Sequence, residues 1–462
     1  MDGPVRLSAW RRENLRTTLW LVPAVLVLLA GALFALTYSL DRAVYRGDLT
    51  LPSWVTVGGA DAGRQVLSAI AAAVITVVGV VFSITILSLT LASQQFGPRM
   101  LRNFIRDFGT QFTLGTFVAT FVYAVLALGS ITSERRGDFV PHISIGVALA
   151  LLLGDLIVLI YFIHHIARSI QLPEVIAGIA RDLGHAIDAQ FPVKAVQPSG
   201  VSTSSPVEPE VAGHRTITDG AIVPARTSGY LQFVGHDHLV AIAKSTDTVI
   251  ELLHRPGHFV TAGLPLSRVW PGDAAPAVFA ALDRAHVTGP HRTLAQDPTF
   301  AIDQLVEIAI RALSPAVNDT FTALTCIDWL ADGLCKVSTR HFSEGVFRDD
   351  SGVVRLIEPD PSYSRMVNRS YDKIRQSGRG MPAVMIRQMD SLTKVLEYTT
   401  DPEQRDVLVR QADMILRASE QSIAEPEDLD DVRSRYEAVL ATLALVSTGA
   451  RHPGAPEVGL RQ

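Results

Sequence analysis

Residues 66–92 read VLSAIAAAVITVVGVVFSITILSLTLA, twenty-seven consecutive positions without a charged side chain. A helix needs about 20 predominantly apolar residues to cross the hydrocarbon of a bilayer, so this stretch is long enough to span one with length to spare. Three further runs of the same kind flank it: Leu19–Leu40, Phe112–Ile131 and Ile143–Ile166. The first has a long polar leader, an apolar stretch beyond the roughly 7–15 residues of a signal peptide and no small-x-small cleavage site, so it reads as a retained span. Hydrophobic residues make up 48% of the 462-residue chain and charged residues 19%, below the usual quarter for soluble domains. That deficit sits almost wholly before residue 170. The chain is therefore expected to be a polytopic membrane protein with four spans and a large water-soluble part after them.

Arginines near the span ends set an orientation. Arg6, Arg11, Arg12 and Arg16 precede the first span, and Arg99, Arg102 and Arg106 lie between the second and third. The opposite loops carry Arg42, Arg46 and Arg64, then Arg135 and Arg136. The bias puts both termini in the cytoplasm, so that the large C-terminal part need not be translocated. Trp20, Tyr38 and Trp54 sit where interfacial belt aromatics belong. A net charge of -5 without a basic stripe and interleaved aromatics gives no nucleic-acid footprint.

The second span is rich in hydroxyls. Thr76, Gly79, Ser83 and Thr90 share one face by helical spacing, and Thr116 and Thr120 repeat the theme in the third. Small and hydroxyl residues on one face either let helices approach closely or line a polar path. Asp155 lies near the middle of the fourth span among Leu and Ile. A carboxylate at that depth must face protein, as an ion or proton site or as a carboxyl hydrogen-bonded to a neighbour. Thr76, Ser83, Thr90, Thr116, Thr120 and Asp155 are the candidate ion-path residues. His164 and His165 close the fourth span; adjacent histidines point to different helix faces, which argues against a shared metal ion. After Gly97-Pro98, Arg99, Arg102 and Arg106 share a helical face opposite Leu101, Phe104 and Ile105. That segment suits anionic lipid headgroups or a basic ring at the inner mouth of a pore, with His164 and His165 at the same interface.

Beyond the spans, Leu172–Ala189 reads as an amphipathic helix, followed by Pro- and Ser-rich linker chemistry to Arg215. Between Thr216 and Pro271 short β-rich runs appear: Ile222–Pro224, Tyr230–Val234, Leu239–Ala243, Thr248–Leu253 and Phe259–Val260. Their arrangement locally resembles the barrel-sandwich module of biotinyl- and lipoyl-carrier domains. Lys244 lacks the context of a carrier lysine, so the module is expected to serve assembly. Helices return after Pro271, at Asp297–Leu313 and Thr320–Leu334 with Asp319 as a cap, then a hairpin at Phe347–Ile357 and four helices from Tyr363 to Val446. Asp297, Asp303 and Glu307 are expected as caps and solvated faces. Cys326 and Cys335 have no metal-ligand spacing and are expected to pack. No nucleophile elbow, P-loop, dinucleotide glycine pattern or metalloprotease helix is present, so no enzyme, cofactor or metal site is expected.

Several sequence blocks, taken in order, are similar to those of a bacterial family of predicted membrane proteins called domain of unknown function 2254. They are Phe82-Ser83-Ile84, Ser93-Gln94-Gln95-Phe96-Gly97-Pro98-Arg99, Arg106-Asp107-Phe108-Gly109-Thr110-Gln111 and Phe162-Ile163-His164-His165-Ile166. Arg255-Pro256-Gly257-His258-Phe259-Val260 and Ala312-Leu313-Ser314-Pro315-Ala316-Val317-Asn318-Asp319 continue the series. The resemblance covers nearly the whole chain. It implies the membrane architecture and no activity.

The expected fold is an α-helical polytopic membrane domain of four transmembrane helices plus a cytoplasmic α+β region with a small β-module and a helical bundle. Its divisions are residues 1–170 (spans), 171–215 (amphipathic helix and linker), 216–271 (β-module), 272–450 (helical domain with a hairpin) and 451–462 (tail). The expected function is a homo-oligomeric ion channel or pore in contact with the lipid bilayer and its anionic headgroups, gated or assembled by the cytoplasmic part. The alternative is a membrane-anchored scaffold or regulatory protein whose cytoplasmic domain binds a partner.

Overall fold

The computed structural model describes residues 20–48, 58–96, 107–134, 137–169, 171–192, 220–342, 345–359 and 362–448. Arg99, Arg102 and Arg106 lie outside the described residues. The chain divides into two compact units, Arg11–Glu174 and Val175–Gln462, the latter together with Met1–Trp10.

Four long helices make the first unit: α1 (Leu21–Arg46), α2 (Ala60–Phe96), α3 (Phe108–Gly129) and α4 (His142–Ser169), with a short hairpin of β1 (Thr132–Glu134) and β2 (Gly137–Phe139) before α4. All four are long and apolar enough to cross a bilayer, with mean hydropathies of 2.3, 2.7, 1.9 and 2.7. The helices run past the apolar windows into polar flanks. At 37 residues, α2 spans about 55 Å, well beyond the hydrocarbon. Packing centres on α3, which touches α1, α2 and α4 and buries Phe117, Tyr123, Ala124 and Ala127. Gly115 permits a close approach of α3 to α1: a Cβ there would lie 2.9 Å from the Cα of Pro23. The outer faces carry large apolar side chains, among them Leu28, Leu153 and Ile157 at 67–73% exposure. In water such a surface would aggregate; in lipid it needs no cover.

The second unit starts with the amphipathic helix α5 (Leu172–Gln190), which buries Ile176, Ile179, Leu183 and Ile187. Strands β3 (Ala221–Pro224), β4 (Gly229–Val234), β5 (Val249–Leu252), β6 (Phe259–Val260) and β7 (Pro265–Trp270) follow, interrupted by helix α6 (His236–Ser245). Next come α7 (Ala275–Ala285), β8 (His286–Gly289), α8 (Thr299–Ala312), α9 (Thr320–Ser338), β9 (Val346–Arg348) and β10 (Val354–Ile357). The chain closes with α10 (Tyr363–Ser377), α11 (Pro382–Tyr398), α12 (Pro402–Glu420) and α13 (Pro426–Ser447). One sheet has the order β3-β7-β5-β10-β9 and the other β6-β4-β8. Among the described residues only the β5–β10 pair is parallel.

Leu239–Ala243, expected as a strand, is helical. Its apolar residues Leu239, Ile242 and Ala243 fall at i, i+3 and i+4 and are buried against β-strand and α7 residues such as Val269, Val278 and Leu282. The β-branched and aliphatic composition hid a helical period. Two helices thus share the core of the β-rich region, and its sheets recruit β8, β9 and β10 from beyond Pro271.

The C-terminal helices have readable starts. Asp319 caps α9, accepting from Thr322 N at 3.1 Å and from its hydroxyl at 2.6 Å. Pro382, Pro402 and Pro426 open α11, α12 and α13, where a missing N–H costs nothing. The inward faces bury Leu305, Leu330, Tyr371, Leu392 and Ile415 completely or nearly so.

Candidate functional site

Among the described residues of the four-helix unit, three groups of polar side chains join one helix to another. The largest lies where α1, α3 and α4 meet. Thr37 Oγ1 and Tyr123 OH share a 2.8 Å hydrogen bond. Ser144 Oγ donates to Asp41 Oδ2 at 2.7 Å and stands 3.1 Å from the Thr37 hydroxyl. Asp41 also accepts from the backbone N–H groups of Ile143 and Ser144, at 2.8 and 3.0 Å. A carboxylate on α1 therefore caps the first turn of α4, whose N–H groups have no partner inside their own helix. Beside it Arg42 lies over the ring of Phe139, 4.5 Å from the centroid.

The second group is the pair of Asp155 and Thr120. Asp155 is only 2% exposed, and Thr120 Oγ1 donates to its Oδ1 at 3.1 Å. Its Oδ2 is buried with no hydrogen-bond partner among the described residues, as is Thr113 Oγ1 on the same helix as Thr120. The midspan carboxyl thus faces the interior of the helix bundle.

The third group joins α3 to the end of α4. Asp107 caps α3 through Thr110 N at 2.8 Å, and the same oxygen lies 2.8 Å from His165 Nε2. His165 stacks on Tyr161. Gly109 makes room for it, since a Cβ there would sit 2.6 Å from Nε2. His164 points away and is exposed.

The hydroxyls of α2 behave differently. Thr76, Ser83 and Thr90 each donate to their own helix, to Ala72 O, Gly79 O and Ile86 O at 2.7–2.9 Å. All three are exposed, together with Ala72, Gly79 and Ile86 on the same face. The opposite face of α2, with Leu67, Ile70, Val74, Val81 and Ser88, is buried against the other helices. Thr116 is half-buried and donates to Phe112 O at 2.8 Å. The candidate residues therefore divide: Thr120 and Asp155 come together inside the unit, while Thr76, Ser83 and Thr90 lie on its outside.

Asp41, Tyr123, Ser144 and Asp107 did not stand out as candidates in the sequence. The available signal was positional: Asp41 follows Thr37 by one helical turn at the polar end of a span, and Asp107 precedes Thr110 by the spacing of a cap. Among the described residues no group of three or more His, Cys, Asp or Glu side chains is placed to hold a metal ion.

A family model described as predicted membrane protein (DUF2254) matches residues 16–394. The uncharacterized protein Mb1321c of Mycobacterium bovis is 33% identical over 373 residues, 79% of this chain and 70% of that protein. The uncharacterized protein Rv1290c of Mycobacterium tuberculosis H37Rv matches with the same identity and the same shares. No solved structure matches the chain. Four helices long and apolar enough to cross a membrane and a family-model match over most of the sequence agree in one assignment: the chain belongs to the DUF2254 family of predicted membrane proteins.

Proposed function

We propose that this protein is a homo-oligomeric ion channel of a bacterial plasma membrane, with both termini cytoplasmic and a C-terminal region that assembles or gates it. The observation that carries this reading is the outward face of α2. Ala72, Thr76, Gly79, Ser83, Ile86 and Thr90 form one exposed stripe opposite the buried side of the helix, about 27 Å long. Packing within one subunit does not use it. Small residues let a second copy of the chain approach closely, and Gly79 and Ser83 form a small-xxx-small pair. Repeated around an axis, Thr76, Ser83 and Thr90 supply hydroxyl oxygens to a permeating ion. The interior of a single subunit, filled by Phe117, Tyr123 and Ala127, leaves the seam between copies as the path. Arg99, Arg102 and Arg106, with His164 and His165, belong to the inner mouth or to anionic headgroups.

The scaffold reading also has an observation in its favour. Asp155, Thr120, Asp41 and Ser144 engage in hydrogen bonds inside one subunit, as expected of groups that only hold a tether together. Ion flux through the full chain in liposomes separates the two. The channel reading expects flux that Ser83→Leu blocks and Asp155→Asn leaves largely intact. Absence of flux across pH, voltage and common ions overturns it in favour of the scaffold.

A further inference from the structure

The charges around Arg292 are satisfied within the second unit. Asp297, expected as a solvated cap, is buried and held by Arg292 at 2.6 Å and by the Thr299 hydroxyl. Arg292 also pairs with Asp303, which Arg369 holds from α10. The turn that joins α8 to α9 is the opposite case. Its Val317 is 54% exposed and Phe321, in the first turn of α9, is 83% exposed. No large apolar side chain among the described residues is more exposed than Phe321, not even on the outer faces of the four long helices. Pro315 and Ala316 are exposed beside them. Backbone bonds hold the turn in this shape. Asn318, at φ +50°, sends its N–H to Ser314 O at 2.9 Å, and the Asp319 N–H reaches back to Ala312 O at 2.8 Å. The Asp319 carboxylate is taken up in capping α9, and no lysine or arginine lies between Ala312 and Cys335. The result is a preformed apolar tip without a cation.

What meets this tip follows from the packing of α9 on α5. A Cβ at Gly333 would lie 2.6 Å from Leu183 Cδ2. Lys336 Nζ donates to Gly184 O at 3.0 Å and to Asp188 Oδ2 at 2.6 Å, and Arg340 pairs with the same carboxylate. Past the helix ends the His341 N–H donates to Pro192 O at 2.9 Å, and Phe342 packs on Phe191. Each of these contacts joins residues 148–152 positions apart. Both helices rise about 1.5 Å per residue, so a constant offset means that they run parallel and in step. The buried stripe of α5 continues toward its start through Ala180 and Ile176; at the same offset Leu330 and Cys326 of α9 are buried too. Carried to the start of α9, the register brings Phe321 level with the start of α5 and puts Val317 just past it. Helix α5 opens at Leu172, three residues after α4 ends at Ser169, a step of about 10 Å at most. The tip is therefore at the end of its unit where the chain arrives from the fourth apolar helix.

We propose that the turn between α8 and α9 inserts Val317 and Phe321 into the apolar edge of the bilayer that α4 crosses, giving the C-terminal unit a second hold on lipid besides the chain itself. Exposed apolar surface of this kind marks a site of contact, and a tip without cations enters by its apolar side chains and needs no anionic headgroup. The insertion rests on α4 spanning the membrane and is independent of conduction. The test uses the full chain in vesicles of phosphatidylcholine alone, with Val317→Cys, Phe321→Cys and the reference Asp332→Cys each carrying a nitrobenzoxadiazole fluorophore. Asp332 is exposed and lies on the same face of α9 as Phe321, three turns or about 17 Å further along. Quenching by a lipid with a doxyl group high on its acyl chain is compared with quenching by iodide supplied on both sides of the membrane. The expected result is a ratio of lipid to iodide quenching several-fold higher at Val317 and Phe321 than at Asp332. Both tip positions are exposed, so neither cysteine should shift the Tm of the chain in detergent, and the two report independently. Equal ratios at the three positions overturn the proposal. Shielding of Val317 and Phe321 from both quenchers also overturns it, because protein, such as a second copy of the chain, would then cover the tip in place of lipid.

Discussion

Asp41 and Asp155 are both buried carboxylates among apolar helices, yet they are satisfied to very different degrees. Asp41 accepts from two backbone N–H groups and one hydroxyl; Asp155 accepts from one hydroxyl. Hydrogen bonds to a charged group contribute about 1.5–3 kcal/mol each, and a buried group left without partners costs a comparable amount. Asp41→Asn is therefore expected to destabilise the four-helix unit by roughly 2–3 kcal/mol and Asp155→Asn by less than about 1 kcal/mol. Thermal unfolding of the two variants in the same detergent checks the order, and the opposite order would sink this account. Outside the spans, His258 gives a pH dependence of definite sign. Its folded-state value near 4 lies below the ordinary 6.5 of the unfolded chain. Between those values the unfolded state holds a proton that the folded state lacks, so stability is complete above about pH 6.5 and is lost as pH falls toward 4. Discounted for the partial exposure of the ring, the loss amounts to roughly 1–2 kcal/mol. Denaturant titration at pH 7 and pH 4.5 should show this loss in wild type and a smaller one in His258→Gln.

At the scale of elements, the stripe on α2 makes its own prediction. Exposed positions seldom shift fold stability by more than about 0.5 kcal/mol, so Thr76→Cys and Ser83→Cys should leave the subunit intact and cross-link to a second copy in membranes. Cysteine at Leu153, exposed on α4, should not. Cross-linking at Leu153 alone would move the contact to the other face. The four spans were legible because apolar length is a local property, readable residue by residue in Val66–Ala92. The outward direction of Thr76 and Ser83 was not: helical spacing puts them on one face without saying which face meets the other helices. The β-rich region was legible only in part for a similar reason. Strands β3, β4, β5 and β6 lie close to the expected runs, but β10 joins β5 in parallel across more than a hundred residues. No local pattern encodes such a pairing, and the hairpin of β9 and β10 carries no mark of its destination. Asp155 was visible in the sequence because a carboxylate inside an apolar run is conspicuous. Asp41, one turn beyond Thr37, looked like ordinary flanking polarity.

For the whole molecule, orientation is the property on which the channel reading depends for its physiological meaning. The arginine bias predicts that the turn after α1 faces away from the cytoplasm and that the C-terminal unit faces it. The two native cysteines leave this open to a clean measurement. Cys326 is fully buried, and desolvation pushes its thiol far above the usual range. Cys335 is partly covered and raised to about 12, first by burial and then by Asp332 and Glu397. Alkylation requires the thiolate, so neither reacts appreciably with a maleimide in the folded chain near neutral pH. Single cysteines at Asp48 and Lys373, both exposed, then report the two sides of the membrane on a silent background. In intact cells an impermeant maleimide should label Asp48→Cys and spare Lys373→Cys until the membrane is opened. The reverse pattern would turn the molecule over, placing the C-terminal unit outside the cytoplasm. Labelling of the wild-type chain before denaturation would instead show that the helix packing around Cys326 and Cys335 opens readily, which the burial of Leu330, Leu334 and Leu396 argues against.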